Sequence, residues 1–399
     1  MNVVLINQFY PPAQAPTGRL LADLAAELAR RGHAATVLAS AAGYGAEAGP
    51  AAAAPAGVRV VRVGRRDVHR HGAVAKLRDY AAFYRGAWRE LAQMPRPDAV
   101  VCLTTPPFIG LLGAHLRKTA GVPFALWCMD LYPEALAAHG WLRPWNPLKP
   151  LLAALAREER RRASAVVALG ADMASLLRAD GAAAVEVIPV WSELAADEKT
   201  RAAAHALRRA RGWGDDELVL LYSGNMGRAH RAEEFAALAE VLRGSSPRCR
   251  FVFAGTGPAR TAWERRWGGW FEFLPPAADD ACAAHLLAAD VHLVSQRIEW
   301  TGVVVPSKFQ AACALERPVA FAGPPDSAVG RWVAETNAGW RLPPGDEPAL
   351  ATAAREILDP RRRAEKGAAA GGLFAREFTR AANCARLAAL VERIAEKRP

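Results

Sequence analysis

Leu218-Val-Leu-Leu-Tyr-Ser-Gly-Asn-Met-Gly227 runs from an apolar stretch into a turn with two glycines, and apolar residues at helical spacing follow over Ala232–Arg243. The apolar stretch predicts a strand buried on both faces, and the later spacing predicts a helix. Strand, turn and helix recur in this order along the chain. Repeated units of this kind predict an α/β fold with a doubly wound parallel sheet.

The repeats form two series, one on each side of the polar stretch Ser192–Asp216. We therefore predict an N-terminal domain over residues 1–190, a C-terminal domain over 191–379 and a last helix over 380–399 that crosses back to the first domain. Ala41–Gly57 is expected to be a surface loop. The predicted strands are Asn2–Asn7, Ala35–Ala39, Val58–Val63, Ala99–Leu103, Phe124–Cys128, Ala165–Leu169, Leu218–Tyr222, Phe251–Ala254, Val291–Ser295 and Val319–Ala322.

Composition excludes several classes of protein. Hydrophobic residues make up 52% of the 399 residues, which is enough to build cores and excludes a wholly disordered chain. The 6 cysteines are far apart, so neither a disulfide framework nor a zinc site is indicated. No apolar run is long enough to span a bilayer, and the start of the chain lacks a secretory signal. We expect a cytoplasmic protein, peripheral at most, without a metal or other cofactor.

Positive charge is concentrated in the first half of the chain. Residues 1–190 hold 22 Lys and Arg against 14 Asp and Glu, so they carry +8 of the net charge of +11. Such an excess fits a nucleic acid, an anionic membrane surface or a phosphorylated substrate, and a solvated basic surface is the simpler interpretation. We do not expect a nucleic-acid partner.

The turn that follows Leu218–Tyr222 has the chemistry of an anion site. Backbone N–H groups from Ser223 through Asn225 to Gly227 can point at a phosphate, Gly224 allows a close approach, and the N-terminus of the following helix is expected to add partial positive charge. Arg228 adds a full positive charge beside them. An ordinary strand-to-helix turn is the alternative, since the sequence matches neither a dinucleotide-binding nor a Walker pattern.

Two further segments bear on the same chemistry. Gly255-Thr-Gly257 ends an apolar strand, but Arg260 occupies the third glycine position of a dinucleotide-binding turn, so that interpretation is weak. Ser307 and Gln310 match a capping box at the start of a helix. This places Lys308 in the first helical turn, where a cation opposes the helix dipole, and its presence there suggests an anionic ligand.

Asp130 ends the predicted strand Phe124–Met129. It would therefore lie at the carboxyl edge of a parallel sheet, where open α/β sheets bind ligands. Capping of the helix that begins near Pro133 is the structural alternative. Glu134 and His139 nearby are weaker candidates.

A predicted helix over Lys76–Gln93 alternates cations with aromatic residues. Such a helix can lie on an anionic membrane, and the loop Trp141–Lys149 has the same character. An ordinary helix with its aromatic face in the core is the alternative. The candidate membrane or acceptor contacts are Lys76, Tyr80, Phe83, Tyr84, Arg85, Trp88 and Arg89.

In this order, the segments resemble glycosyltransferase family 4, and particularly its subgroup in bacterial surface-polysaccharide and O-antigen assembly. The resemblance implies the GT-B fold, in which two Rossmann-like domains face a cleft, and retaining transfer from a nucleotide-sugar. The segments that carry it are Gln8-Phe-Tyr-Pro-Pro12, Thr17-Gly18, Arg30-Arg-Gly-His33, Asp130-Leu-Tyr-Pro-Glu134, Ile188-Pro189, Tyr222-Ser-Gly-Asn-Met-Gly227, Phe253-Ala-Gly-Thr-Gly257, Val305-Pro-Ser-Lys308 and Arg317-Pro-Val319.

The resemblance also implies roles for individual residues. Asp130 would lie at the reacting centre, and Arg228 and Lys308 would be catalytic contacts to the diphosphate. The residues implied to bind the donor are Gly18, Ser223, Gly224, Asn225, Gly227, Gly255, Gly257 and Ser307.

The sequence departs from the family at four positions. Two glutamates found in many members correspond to Val303 and Ala311, so the contacts to the donor hydroxyls are not carried over. The usual glycine two residues before Pro318 is Glu316, and a histidine often found before the aspartate is Met129.

The sequence thus predicts a metal-independent, retaining hexosyl- or N-acetylhexosaminyl-type transferase. It would use a nucleoside diphosphate sugar and an acceptor such as a lipid-linked saccharide. Two alternatives remain open: a nucleotide-sugar epimerase of the same fold class, and a degenerate transferase that only binds its nucleotide-sugar.

Overall fold

The computed structural model describes residues 1–13, 15–41, 55–64, 72–245 and 248–397. Most of the predicted surface loop Ala41–Gly57 lies outside the described residues. Contacts divide the chain into two compact units. Unit 1 comprises Met1–Pro189, Gly302–Val304 and Arg380–Pro399, and unit 2 comprises Val190–Thr301 and Val305–Thr379.

Unit 1 is built on a seven-stranded, all-parallel sheet of order β3-β2-β1-β4-β5-β6-β7. Its strands are β1 (Asn2–Ile6), β2 (Ala34–Ser40), β3 (Val58–Val63), β4 (Ala99–Leu103), β5 (Phe124–Trp127), β6 (Ala165–Ala168) and β7 (Val185–Val187). Its first six helices are α1 (Pro16–Arg30), α2 (Ala73–Gln93), α3 (Gly110–Ala120), α4 (Glu134–Ala138), α5 (Leu148–Arg162) and α6 (Ala171–Ala179).

Unit 2 repeats the architecture with a six-stranded parallel sheet of order β10-β9-β8-β11-β12-β13. Its strands are β8 (Leu218–Ser223), β9 (Cys249–Ala254), β10 (Glu272–Leu274), β11 (Val291–Ser295), β12 (Val319–Ala322) and β13 (Gly339–Arg341). Its helices are α7 (Glu198–Ala210), α8 (Glu233–Ser245), α9 (Arg260–Trp267), α10 (Cys282–Leu287), α11 (Lys308–Ala314), α12 (Ala328–Thr336), α13 (Glu347–Leu358) and α14 (Pro360–Glu377).

The central strands are apolar because helices cover both faces of a parallel sheet. Every residue of β4, β5, β6, β11 and β12 is buried. Helix packing is close enough to require glycine: a Cβ on Gly113 of α3 would lie 2.5 Å from the ring of Phe124 in β5. The two predicted parallel α/β sheets are therefore confirmed.

The last helix, α15 (Arg380–Glu396), belongs to unit 1. Glu392 accepts from Arg31 at 3.0 Å and pairs with His33 at 2.8 Å, beside the end of α1. Asn383 donates to the carbonyl oxygen of Pro189 at 3.1 Å. Unit 1 also includes Gly302–Val304, a segment that the sequence analysis assigned to the second domain.

Helix α7 is among the elements that were not predicted from the sequence. The stretch Ser192–Asp216 contains α7, which begins where the carboxylate of Asp197 accepts from the N–H of Thr200 at 2.7 Å. A short 3₁₀ turn at Asp279–Ala281 leads directly into α10. The missed helix is polar and arginine-rich, and Leu207 is its only apolar residue larger than alanine, so no run of large apolar side chains marks its buried face.

Unit 1 buries a carboxyl group in its core. Glu159 of α5 accepts a hydrogen bond from the backbone of Gly110, and its Oε2 has no hydrogen-bond partner within the described residues. Burial raises the pKa of Glu159 to about 8, although the neighbouring Arg160 opposes the shift. The carboxyl group is therefore largely neutral at pH 7.

We expect Glu159→Gln to stabilise the protein at alkaline pH. The folded-state pKa lies above the unfolded value, so wild-type stability falls as pH rises from about 4.5 to about 8. The amide has no charge to bury, and the variant should gain about 2 kcal/mol or more at pH 9, since one pKa unit corresponds to about 1.4 kcal/mol.

Urea unfolding followed by circular dichroism at pH 4.5 and pH 9 measures this difference. Glu158→Gln, the exposed neighbour, is the control and should change little at either pH. Equal midpoints for Glu159→Gln and wild type at pH 9 would contradict a buried neutral carboxyl group.

Candidate functional site

The sheet orders place a ligand site at a defined edge of each unit. In unit 2 the order reverses between β8 and β11, and in unit 1 between β1 and β4. Open α/β sheets bind ligands at the carboxyl ends of the strands beside such a switch point. The segments after Ser223 in β8 and after Ser295 in β11 meet this condition in unit 2.

Two glycine turns pack against each other at this edge of unit 2. A Cβ on Gly255, where φ is +136°, would lie 2.1 Å from the carbonyl oxygen of Gly224. A Cβ on Gly257 would lie 2.5 Å from Asn225 Oδ1. The N–H of Met226 donates to Thr256 O at 2.6 Å. Gly255 and Gly257 are therefore required by the packing of the turns, whether or not a nucleotide contacts them.

The first turn leaves backbone donors available. Within the described part of the chain, the N–H groups of Asn225, Gly227 and Ala229 donate to no other atom. Arg228, on the same turn, is exposed. This arrangement fits the predicted anion site, because free N–H groups and a cation favour a phosphate.

One predicted contribution to the anion site is wrong. The helix after the turn was expected to direct its N-terminus at the anion, but α8 begins only at Glu233 and carries Glu233 and Glu234 in its first turn. Arg231 pairs with Glu234, and the N–H of Ala232 donates to Glu233 at 3.1 Å. Carboxylates of the chain itself therefore lie at the N-terminus of α8, where the helix dipole was expected to favour an anionic ligand.

Lys308 lies beside the first turn. Its Nζ is 4.9 Å from the centre of the Tyr222 ring and 3.5 Å from the carbonyl oxygen of Asn225. A Cβ on Gly224 would come within 3.0 Å of Lys308 Cε, so this glycine leaves room for the lysine. Burial lowers the pKa of Lys308 to about 8. Throughout the described residues, Lys308 forms no ion pair, and its charge is available to an anion.

The imidazole of His230 contacts the same ammonium group. Its Nε2 lies 3.2 Å from Lys308 Nζ, and its Nδ1 lies 2.7 Å from the carbonyl oxygen of Ser295. Burial, followed by the charge of Lys308, lowers the pKa of His230 to about 3, so the ring is neutral. His230 was not among the residues predicted from the sequence, where its position just after the glycine turn was the only indication of a role.

The predicted capping box at α11 does not form. Ser307 is exposed, has helical backbone angles and makes no side-chain hydrogen bond to the helix. Gln310 is buried, and neither of its amide atoms has a hydrogen-bond partner in the residues described. Glu316, at the family's glycine position, has a φ of +54° and thus keeps the left-handed backbone that glycine favours.

In unit 1, Asp130 lies at the carboxyl edge of the sheet, just beyond β5. Thr104, just beyond β4, accepts from the N–H groups of Met129 at 3.0 Å and Asp130 at 3.2 Å. Burial raises the pKa of Asp130 to about 6. Its carboxylate makes no hydrogen bond or ion pair to any described residue. Thr104, which the sequence analysis missed, therefore holds the backbone that presents Asp130.

Other unit 1 candidates have structural partners. Glu134 pairs with the buried Arg160 at 2.9 Å, which explains its presence in the first turn of α4. Gly18, which the family resemblance implied to bind the donor, lies within α1, and a Cβ there would be 3.1 Å from the backbone of Tyr10. Val303, at a position where the family often has glutamate, is buried and accepts from the N–H of Leu131 at 3.0 Å.

Helix α2 presents only part of its predicted membrane face. Phe83 is buried and Tyr80 is half-buried, and the Tyr84 hydroxyl donates to the carbonyl oxygen of Pro107. Insertion of Phe83 and Tyr84 into a membrane is therefore wrong, because both side chains pack against the protein. The residues exposed on this helix include Val74, Lys76, Leu77, Arg78, Arg85, Trp88 and Arg89.

The loop before α5 is also exposed. Trp145 has 75% of its surface accessible, and the guanidinium of Arg143 lies 5.6 Å from the centre of its ring. Trp141, Leu148 and Leu151 are exposed as well. No helix among the described residues is both long and apolar enough to cross a bilayer. The described chain also contains no group of three His, Cys, Asp or Glu side chains arranged to hold a metal ion.

The chain is similar in sequence to known glycosyltransferases. Residues 17–191 match the family described as "Glycosyl transferase 4-like domain". The chain is 25% identical over 290 residues to "Probable glycosyltransferase WbjE" of Pseudomonas aeruginosa, covering 66% of this chain and 67% of that one. It is 28% identical over 220 residues to "Putative colanic acid biosynthesis glycosyl transferase WcaI" of Escherichia coli, covering 53% of this chain and 54% of that one.

Solved structures share the architecture. Sucrose-phosphate synthase from Thermosynechococcus elongatus superposes with a TM-score of 0.76 at 16% identity, over 99% of both chains. Anabaena HepE in complex with UDP-glucose superposes with a TM-score of 0.66 at 16% identity, over 98% of this chain and 100% of that chain. These likenesses confirm the predicted GT-B fold, and the sequence matches confirm the family resemblance.

We expect Gly255→Ala to disrupt the paired glycine turns. A methyl group 2.1 Å from a backbone oxygen forces the turns apart, and the positive φ adds strain. Together these should cost about 3 kcal/mol or more. Gly269→Ala is the matched control, because nothing lies within 4 Å of a Cβ there. Thermal unfolding measures both variants, and equal transition temperatures would contradict the packing of the turns.

Proposed function

We propose that this protein, a glycosyltransferase of the GT-B type whose residues 17–191 match the glycosyl transferase 4-like family, transfers a sugar from a nucleoside diphosphate donor with retention of configuration. The observation that carries the proposal is the ammonium of Lys308, which has no ion-pair partner within the described chain and lies beside a turn with free N–H groups. A diphosphate would satisfy both.

The donor is assigned to the carboxyl edge of unit 2. Lys308, Arg228 and the N–H groups of Asn225 and Gly227 supply positive charge and hydrogen-bond donors. Fixed charge of this kind stabilises a departing diphosphate, and removing one such contact commonly costs 10²-fold or more in rate. HepE, which shares the fold, is solved with UDP-glucose, and this supports the same class of donor here.

The acceptor is assigned to Asp130. Because burial raises its pKa to about 6, this carboxylate is ionised at neutral pH and basic enough to share a proton with a hydroxyl group. In the proposed reaction the bond from the anomeric carbon to the diphosphate breaks, and a bond to the acceptor oxygen forms on the same face. The acceptor proton passes to the leaving phosphate oxygen, with Asp130 orienting the hydroxyl. We expect transfer without added divalent metal and without loss of activity in EDTA.

Two other functions are distinguished by direct assays. An epimerase of the same fold class would change the sugar when the protein is incubated with a nucleotide-sugar alone. A protein that only binds its nucleotide-sugar is favoured by one observation, the replacement of the family's two glutamates by Val303 and Ala311. It would show tight binding and no turnover across a broad acceptor panel.

We expect Lys308→Ala and Asp130→Asn to fail in different steps. Lys308→Ala should weaken nucleoside diphosphate binding by about 10²-fold, as should Arg228→Ala, because each removes charge from the diphosphate site. Asp130→Asn should keep wild-type donor affinity and lose most transfer, because its proposed role concerns the acceptor.

Donor affinity is measured by titration calorimetry, after a thermal-shift screen over UDP, GDP, CDP and ADP and their sugars. A ligand at 100 times its dissociation constant stabilises by about 2.7 kcal/mol, enough to identify the donor base. Lys199→Ala, an exposed lysine of unit 2, is the control. Wild-type affinity in both Lys308→Ala and Arg228→Ala would remove the diphosphate assignment.

We further propose that unit 1 docks on anionic membrane, where a lipid-linked saccharide acceptor would be found. Exposed cations and exposed apolar residues share α2, with Trp88 45% accessible beside Arg85 and Arg89. The exposed Trp145 adds an aromatic anchor in the loop before α5. Aromatic side chains enter the interface, and each nearby cation adds about 1 kcal/mol of attraction to anionic lipid.

Arg85→Glu combined with Arg89→Glu should weaken binding to vesicles of phosphatidylglycerol and phosphatidylcholine by about tenfold or more at low salt. Donor affinity should not change. Arg265→Glu with Arg266→Glu, an exposed pair in unit 2, alters the net charge equally and is the control. Co-sedimentation measures binding, and a wild-type protein that ignores anionic vesicles at low salt would favour a soluble acceptor.

A further inference from the structure

His230 connects two segments at the switch point of unit 2. Its Nδ1 lies 2.7 Å from the carbonyl oxygen of Ser295, and a carbonyl oxygen can only accept a hydrogen bond. Nδ1 therefore carries the ring proton, and Nε2 has a lone pair. Lys308 Nζ, 3.2 Å from Nε2, can only donate. The carbonyl of Ser295 thus fixes the tautomer that lets His230 accept from the lysine.

The contacts of Lys308 orient its ammonium group without cancelling its charge. An ammonium group has three N–H donors, and the acceptors around this one are His230 Nε2 and, at a long 3.5 Å, the carbonyl oxygen of Asn225. The ring of Tyr222 adds a cation–π contact. A carboxylate at position 230 would hold the lysine more tightly and neutralise it.

We propose that His230 is a positioning residue for the transfer reaction: as a neutral acceptor, it directs the Lys308 ammonium at the donor diphosphate and stabilises its charged form. The effect of His230 on the transfer reaction rests on the proposed nucleotide-sugar donor. The hydrogen bond itself is testable without any ligand.

Lys308 is the member of this pair that changes its protonation state near neutral pH. Lys308 meets His230 and Asn225 from the turn and Tyr222 from β8. Arg297 reaches the backbone carbonyl of His230 at 3.0 Å, not the ring. With the pKa of His230 near 3 and that of Lys308 near 8, the imidazole stays neutral while the ammonium titrates. Loss of the acceptor should therefore lower the pKa of Lys308.

The first measurement is a carbon-13 NMR titration of lysine Cε, with the Lys308 signal assigned by its loss in Lys308→Ala. His230→Phe keeps an aromatic ring but has no acceptor, and it should lower the pKa of Lys308 by about one unit, as loss of a hydrogen bond to a charged group implies. His230→Gln keeps an acceptor near the position of Nε2 and should restore most of the wild-type value. An unchanged pKa in His230→Phe would overturn the proposal, and His230→Leu makes the same test if the Phe variant does not fold.

The second measurement is the affinity for UDP, or for the diphosphate selected by the donor screen, between pH 6 and pH 10. We expect wild-type affinity to fall above about pH 8, and His230→Phe to lose tenfold or more at pH 7 and to decline from a lower pH. If His230 had a purely structural role, the pH above which the affinity declines would be the same in His230→Phe and in wild type. In a Lys308→Ala background, His230→Phe should have no further effect, and additive losses would overturn the positioning role. If no nucleoside diphosphate binds wild type, the donor proposal fails, while the NMR titration still decides the His230 contact.

Discussion

All strands within each sheet run parallel, and this constraint determines where chemistry can occur in each unit. Each crossover returns the chain to the same side of the sheet, so the carboxyl ends of all strands meet at one edge. In unit 2, this brings the segments after β8, β9 and β11 together although they are distant in sequence. The contact between His230 and Ser295 and the packing of Gly255 on Gly224 both arise there.

The two glycine turns give this edge of the unit 2 sheet its particular geometry. Gly255 and Gly257 allow two backbones to approach at distances that no side chain permits, and Gly224 leaves space for Lys308. The outcome is a cation held by neutral partners. Bringing a lysine out of full solvation costs free energy, and an incoming diphosphate would recover it through charge-assisted hydrogen bonds. The same desolvation lowers the pKa of Lys308 and would make diphosphate affinity depend on pH.

Unit 1 uses burial differently. Asp130 is largely shielded from solvent and has a raised pKa, and its carboxylate has no hydrogen-bond or ion-pair partner within the described residues. Glu159 is fully enclosed and largely neutral, whereas Glu134 forms a salt bridge with Arg160. The three carboxyl groups thus lie in three different environments, set by the partners and solvent that each one meets.

The sequence alone determined the α/β class, the two series of strands and the sheet edge that carries the glycine turns, because buried parallel strands are continuous apolar runs and glycine turns mark their ends. Asp130 and the turn around Gly224 followed from their place after such runs, and Lys308 followed from its place in the first turn of a predicted helix. Tertiary structure decided which of these residues have partners. The contacts of His230 with Lys308, of Thr104 with Asp130 and of Tyr84 with Pro107 join segments far apart in the chain, and helical spacing does not show which face meets the core. The capping box at Ser307 and the helix dipole at α8 failed for the same reason: a local pattern gives the possible hydrogen bonds, and packing selects among them.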